Sequence, residues 1–314
     1  MSEPKEVFVG IDVSKDQLDV CICPDEVHAS VTNDSLGIKK LVKLLKAKKP
    51  TLVVLEATGG YESKAITALV IAGLSAVVVN PRQVRDFAKA KGKLAKTDLI
   101  DAAILADFAK VIRPQVRELP GKEAQEFSAL VGRRRQIVEM ITAEKNRLGS
   151  CPKRIEPEIK AHIKYLEGRL KKIDDDISKS IHQSPVWREK DDLLKSMPGV
   201  GPTVSCTLLA DLPELGSLNR KQIAALVGVA PYCRDSGMFK GKRAVWGGRA
   251  NVRSTLYMGT LVAVRHNPAI KVFYERLLGA GKAKKLALTA CMRKLLTILN
   301  SMVKNQTPWQ IKSA

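Results

Sequence analysis

The chain has 314 residues, 45% of them hydrophobic and 27% charged, with a formal net charge of +21 and a pI near 9.8. That length accommodates two domains or one domain with a helical insertion, and the charge points to a polyanion, with nucleic acid favoured over a membrane surface. An aromatic content of 4% argues against single strands gripped mainly by base stacking, and the sequence has neither an eighteen-residue apolar run nor a signal-peptide pattern, so a cytoplasmic protein without a membrane partner is expected.

Residues 7 to 13 and 17 to 23 alternate as two strands around a short turn, and 27 to 32 make a third, an antiparallel meander. A helix follows from Ser35 to Lys48, with apolar residues at helical spacing. TLVVLE at 51–56 is a short buried strand, 61 to 72 a helix, and AVVVN at 76–80 another strand. Asn80-Pro81 opens a further helix with a cap and a proline in its first turn. Thr97 caps the helix that begins at Asp98. Three strands, then helix, strand, helix, strand, helix describe an α/β layer of ribonuclease-H type, in which the first and fourth strands can lie side by side.

That arrangement would gather four acids. Asp12 lies on the first strand, Glu56 ends the fourth, and Asp98 and Asp101 are three apart on one helix face. Clustered carboxylates repel and are costly to bury, and a divalent cation such as Mg2+ or Mn2+ relieves both costs with hard oxygen ligands. Taken singly, each acid also has an ordinary reading: a strand-turn acid, an exposed strand end, or a helix first-turn acid that favours the dipole. The six cysteines form no CxxC pair and the four histidines show no ligand spacing, so the cysteines read as reduced structural thiols.

From about residue 120 the chain turns helical. Residues 122 to 148 are charged, with an apolar side, and Pro152 and Pro157 are expected to break the run. Ile159, Ile163, Leu166, Leu170, Ile173, Ile177 and Ile181 then form a coiled-coil-like seam of about three heptads, which suits either a hairpin packed on itself or a dimerisation arm. Ser184-Pro185 reads as a hinge. Beyond it, LLKSMPGVGPTVSCTLLADL resembles a helix-hairpin-helix, whose turn at Gly199 and Gly201 can offer amides to a phosphate, although PGVG also makes ordinary turns. Between 231 and 294, fourteen Lys and Arg face two acidic residues. Arg234, Lys240, Lys242, Arg243, Arg249 and Arg253 cluster there, in and beside a glycine-rich segment that reads as an adaptable loop.

GIDVSKDQLDV, LEATGGYE, VNPRQV, KTDLIDAAILADF, LVGVAPYCRDSG and STLYMGTLVAVRHNP, in this order along nearly the whole chain, resemble the motifs of DEDD-type bacterial insertion-sequence transposases. In words this is the insertion-sequence one-ten family with its pilin-gene-invertase relatives. The resemblance implies a RuvC-like catalytic domain (1–118), a helical coiled-coil segment (119–186) and a mainly helical C-terminal transposase domain (187–314). It implies a recombinase acting on donor and target double-stranded DNA, guided by a structured noncoding RNA, as homodimers assembling into a homotetramer in the bacterial cytoplasm at the nucleoid. It maps the metal-binding tetrad onto Asp12, Glu56, Asp98 and Asp101, and a serine nucleophile onto Ser236 of RDSG, with Ser254 in VRSTLYM as local competitor. Because Ser236 and the acids fall on different predicted domains, the chemistry requires the two halves to meet. VWGGRANVR departs from the serine-lysine-glycine run of many members and resembles the subgroup with a shorter guide. A junction-resolving endonuclease and a non-catalytic nucleic-acid-binding regulator are the competing functions.

Overall fold

The computed structural model describes residues 6–93, 95, 97–116, 120–233, 235–236, 239–241 and 243–310. Arg234 and Lys242 therefore lie outside the described residues, as does the side chain of Lys240. Two compact units divide at Pro120 and Gly121.

The first unit is a five-stranded mixed sheet between helical layers. The strands are β1 (Phe8–Val13), β2 (Gln17–Cys23), β3 (Val27–Thr32), β4 (Leu52–Glu56) and β5 (Ala76–Val79), in the spatial order β3-β2-β1-β4-β5. β1 runs antiparallel to β2 and parallel to β4, so the expected adjacency of the first and fourth strands is observed. Alternation along the strands separates two cores. Val9, Ile11, Leu18, Val20, Val53 and Leu55 face α1 (Ser35–Lys48) and α2 (Ser63–Ile71). Phe8, Leu52, Val54 and Val79 face α3 (Pro81–Ala90) and α4 (Asp98–Ile112).

Local sequence fixes the helix starts. The Asp34 side chain accepts from the Leu36 and Gly37 amides, Asn80 from the Arg82 amide with Pro81 in the first turn, and Thr97 from the Ile100 amide, which satisfies amides that have no partner inside the helix. α4 lies directly on β1 because residue 10 is glycine: a Cβ there would overlap the Ala102 carbonyl oxygen and the Ala106 amide nitrogen. The small side chains Cys21, Ala102 and Ala106 pack together beside this contact.

The second unit is helical. α5 (Lys122–Leu148) and α6 (Glu156–Gln183) form a hairpin whose seam holds Phe127, Val131, Ile137 and Ile141 against Leu166, Ile173, Ile177 and Ile181. The seam is thus filled within the chain. As expected, the run breaks between Leu148 and Glu156, with Pro152 in the link and Pro157 just inside the next helix. Pro157 sits in the first turn of α6, where its missing amide hydrogen would have had no partner. The expected hinge is a capped corner. The Ser184 side chain accepts from the Trp187 amide at the start of α7 (Pro185–Lys195), and Trp187 packs on Phe127 with ring centroids 4.6 Å apart.

α8 (Pro202–Asp211), α9 (Arg220–Val227), α10 (Ala250–His266), α11 (Pro268–Gly279) and α12 (Lys284–Asn305) complete the unit. α12 is long and apolar enough to cross a membrane by length and composition. Its apolar face, with Cys291, Leu295, Leu296 and Leu299 fully buried, is the spine of this unit's core.

Gly10→Ala should lower stability by about 3 kcal/mol, the upper range for forcing a methyl into a packed interface. Chemical denaturation followed by circular dichroism reads the shift, and an unchanged midpoint would show that α4 can lift off β1 without cost.

Candidate functional site

The acidic set assembles on the α4 side of the sheet. Asp12 follows Gly10 by two residues on β1 and therefore faces α4 with it. Glu56 follows Leu52 and Val54 on the same face of β4. The parallel register pairs Ile11 with Leu55, so Asp12 and Glu56 occupy the next step along neighbouring strands. Asp98 and Asp101 stand in the first turn of α4, directly before the Ala102 that covers Gly10. Asp98 is exposed, whereas Asp12, Glu56 and Asp101 are half-buried.

Burial pushes the Asp12 carboxyl above the ordinary carboxylate range, and the negative charges of Asp101, Asp98 and Asp19 add to that. The Val13 amide, which donates to Asp12 Oδ1 at 3.0 Å, opposes the shift. Excess negative charge in a partly desolvated place is the electrostatic condition that a bound divalent cation relieves, and carboxylate oxygens are the donors that magnesium takes. Among the described residues, no three His, Cys, Asp or Glu side chains are gathered closely enough to hold an ion. The donor chemistry therefore fits a hard cation, while the side chains stand in an open arrangement.

Two acids missed at the level of sequence belong to this end of the sheet. Asp19 is the cross-strand partner of Asp12 and is 6% exposed. Gln17 Nε2 donates to both its carboxylate oxygens, at 2.8 and 3.0 Å. The signal was present in the alternation of Asp19 with Cys21 and Cys23, which puts an acid where small residues face α4. Glu62 organises the turn after Glu56: its Oε2 accepts from the Thr58 and Gly60 amides, at 3.1 and 2.9 Å, and from the Thr58 hydroxyl. Burial acts to raise the Glu62 pKa, but these donors outweigh it and hold the carboxyl below its ordinary range. Asn33 Nδ2 ties Ser14 O to Tyr61 O, linking the turns that follow β1 and β4.

Ser236 belongs to the second unit. It is exposed on β7 (Asp235–Ser236), which pairs with β8 (Phe239–Lys240), Ser236 opposite Phe239. β6 (Pro231–Tyr232) pairs with β9 (Ala244–Val245) below it. The segment expected to be a plain adaptable loop is thus two short ladders on a tightly closed base. Gly228 and Gly248, both with positive φ, approach so closely that a Cβ on either would overlap the other's segment. The Arg253 guanidinium donates to the Gly247 and Val227 carbonyls across that base.

The basic candidates divide. Arg249 Nη1 and Nη2 make a two-pronged ion pair with Glu214, at 2.5 and 2.6 Å, and Nη1 also donates to Asp211 O. A phosphate at Arg249 would have to displace Glu214. Arg243 is exposed. Gly199, with φ +103°, is pressed on α10, where a Cβ would stand 2.6 Å from Ala263 Cβ. Gly201 is exposed at the start of α8.

Two outcomes are expected. The folded chain holds the Asp12 proton to higher pH than the unfolded chain does, so the stability contributed by this group falls as pH rises through that window. Asp12→Asn should therefore melt higher than wild type at neutral pH in chelator, with the gap closing as pH falls toward the ordinary carboxylate range. Thermal melts across pH test this, and a lower neutral-pH midpoint would contradict it. Arg249→Ala should cost about 2 kcal/mol by removing the two-pronged pair with Glu214 and the bond to the Asp211 carbonyl. Arg243→Ala should stay within about 0.5 kcal/mol of wild type in the same denaturation.

Residues 9–157 match a transposase family model of the DEDD type for IS110 elements, and residues 191–275 match the transposase model of the IS116/IS110/IS902 family. The pilin gene-inverting protein of Moraxella bovis is 26% identical over 314 residues, covering 97% of this chain and 98% of that protein. The corresponding protein of Moraxella lacunata matches at the same identity and coverage. An insertion element IS900 protein of Mycobacterium paratuberculosis is 32% identical over 120 residues, 36% of this chain and 29% of its own length. The first match spans the acidic set and runs on into the second unit, the other spans Ser236, and the chain belongs to the IS110 family of DEDD-type transposases, enzymes of DNA recombination.

Proposed function

We propose that this transposase cuts and rejoins donor and target duplex DNA through a serine–DNA phosphodiester, with Asp12, Glu56, Asp98 and Asp101 as the magnesium-binding set and Ser236 as nucleophile. The single observation that carries the reading is the convergence of acids from two adjacent strand ends and one helix first turn on a single face of the sheet. In this reading the first unit is a RuvC-like nuclease fold, and α7–α8 is a helix-hairpin-helix whose exposed Gly201 end meets a phosphate. The four carboxylates would hold the ion as hard oxygen ligands.

Magnesium, when bound, neutralises charge on the scissile phosphate and lowers the barrier to oxyanion attack. The chain's own residues do the rest. Ser236 Oγ loses its proton and attacks phosphorus, forming an Oγ–P bond as the P–O bond to the leaving strand breaks, and that strand departs as a hydroxyl end. The total number of phosphodiester bonds is unchanged, so a strand hydroxyl attacking the phosphoserine rejoins DNA and restores Ser236 without an external energy source. Water as nucleophile would hydrolyse the strand instead. Exposure of Ser236 on a short ladder suits a group that must reach DNA, and Arg243, exposed in the same segment, suits phosphate contact. A structured noncoding RNA directs the choice of target, and the protein works as a homodimer that assembles to a homotetramer.

Incubation of the protein and its copurified RNA with labelled donor and target duplexes and magnesium, followed by a denaturing gel, should give a slow-migrating protein–DNA band. The band should vanish in Ser236→Ala and in chelator and persist in Ser254→Ala. Cleavage without a covalent band would point to a junction-resolving nuclease and overturn the serine assignment. Sequencing the copurified RNA should return one defined species, and random fragments would refute guidance.

A further inference from the structure

A second charged surface lies on the first unit, on the face of the sheet opposite to α4. Between Ser35 and Lys49 the chain carries six lysines and no acidic residue. Ile38, Leu41 and Leu45 seat α1 on the sheet, which turns Lys39, Lys40, Lys43 and Lys46 outward at steps of three and four. All four are exposed. Among the described residues none of them is in an ion pair, although exposed pairs occur on other helices: Lys89 with Asp86, Lys145 with Glu167, Lys160 with Glu156 and Lys179 with Asp176. Asp34, the nearest acid in sequence, accepts from the Leu36 and Gly37 amides and feels the charge of Lys40 without pairing with it.

A charge run is often only a solvated face, but this one has a cost. Like charges three and four apart on a helix destabilise it by a few tenths of a kcal/mol per pair. Lysines in the last turn offset this by favouring the helix dipole, whereas Lys39 and Lys40 lie too early to gain from it. The stripe from Lys39 to Lys46 spans about 10 Å at the α-helical rise, roughly three base-pair steps of duplex at 3.4 Å each. It carries no aromatic side chain, so it offers point charges to a phosphate backbone and no platform for unstacked bases. α1 also covers the sheet face opposite to α4, so a duplex lying there is not the segment at the carboxylates.

We infer that the outer face of α1 is a sequence-independent docking surface for double-stranded DNA flanking the reacting site, held by Lys39, Lys40, Lys43 and Lys46. The inference rests on the DNA-recombinase reading and extends it to DNA outside the reacting position.

The test uses the full chain with all four lysines changed to Gln, which keeps helix propensity. Its control carries the same loss of charge at Lys89, Lys145, Lys160 and Lys179. Binding to a mixed-sequence duplex is titrated across salt. Each phosphate contact contributes about 0.9 to the slope of log K against log salt, so the α1 variant, with four contacts removed, should lose about 3.6 from the slope and the control should stay near wild type. If wild type binds duplex with a steep slope and the two variants behave alike, the α1 surface is refuted while the recombinase reading stands. If wild type shows no salt-dependent duplex binding, both fall. A slope loss seen only with an RNA hairpin of equal length would overturn the assignment to duplex DNA.

Discussion

No side chain fits between β1 and α4 at residue 10, and the acidic face depends on that contact. With glycine there, the Ala102 and Ala106 backbone lies against the strand. The first turn of α4 is then carried to the strand end where Asp12 stands. A bulkier residue would lift the helix and open the distance between the strand carboxylates and Asp98 and Asp101. Cys21, Ala102 and Ala106 continue the same requirement for small volume across the neighbouring strand. The placement of these acids therefore rests on packing by glycine and small side chains.

The constraint carries an electrostatic penalty that the rest of the fold absorbs. Asp12 and Asp19 face one another across β1 and β2, and Asp12 is held above its ordinary range by burial and by its acidic neighbours. Buried like charges are tolerated where surrounding structure over-determines them. Here Gln17 fixes Asp19, Glu62 holds the turn after Glu56 through two amides, and Asn33 ties the turns after β1 and β4 together. The second unit follows a similar plan around Ser236. The serine is exposed on a two-residue strand, while the base beneath it is closed by two glycines, by Arg253 on backbone carbonyls and by Arg249 on Glu214.

The distribution of positive charge separates structural from unspent cations. Arg249 and Arg253 sit within the basic run but are used inside the unit. On α1 none of Lys39, Lys40, Lys43 and Lys46 is in an ion pair among the described residues, Asp34 acting on Lys40 only through its field. Counting charge along the chain cannot make this distinction, because a guanidinium is the same in sequence whether it closes a loop or waits for a phosphate.

Strand alternation, helix caps and the acids at strand ends were legible in the sequence because each depends on neighbours a few residues away. Asp34, Asn80 and Thr97 cap the helices they precede, and the 122–148 helix, the seam of α6 and the side-by-side first and fourth strands all followed from period and order. The strand-end positions of Asp12 and Glu56 and the first-turn positions of Asp98 and Asp101 were legible in the same way. Only the tertiary structure decided that Asp19 joins them, since its role depends on cross-strand register. Long-range packing likewise committed Arg249 to Glu214, pressed Gly199 on Ala263, and filled the heptad seam from within the chain. Those outcomes depend on which distant side chain arrives within a few ångströms, and local pattern carries no record of that.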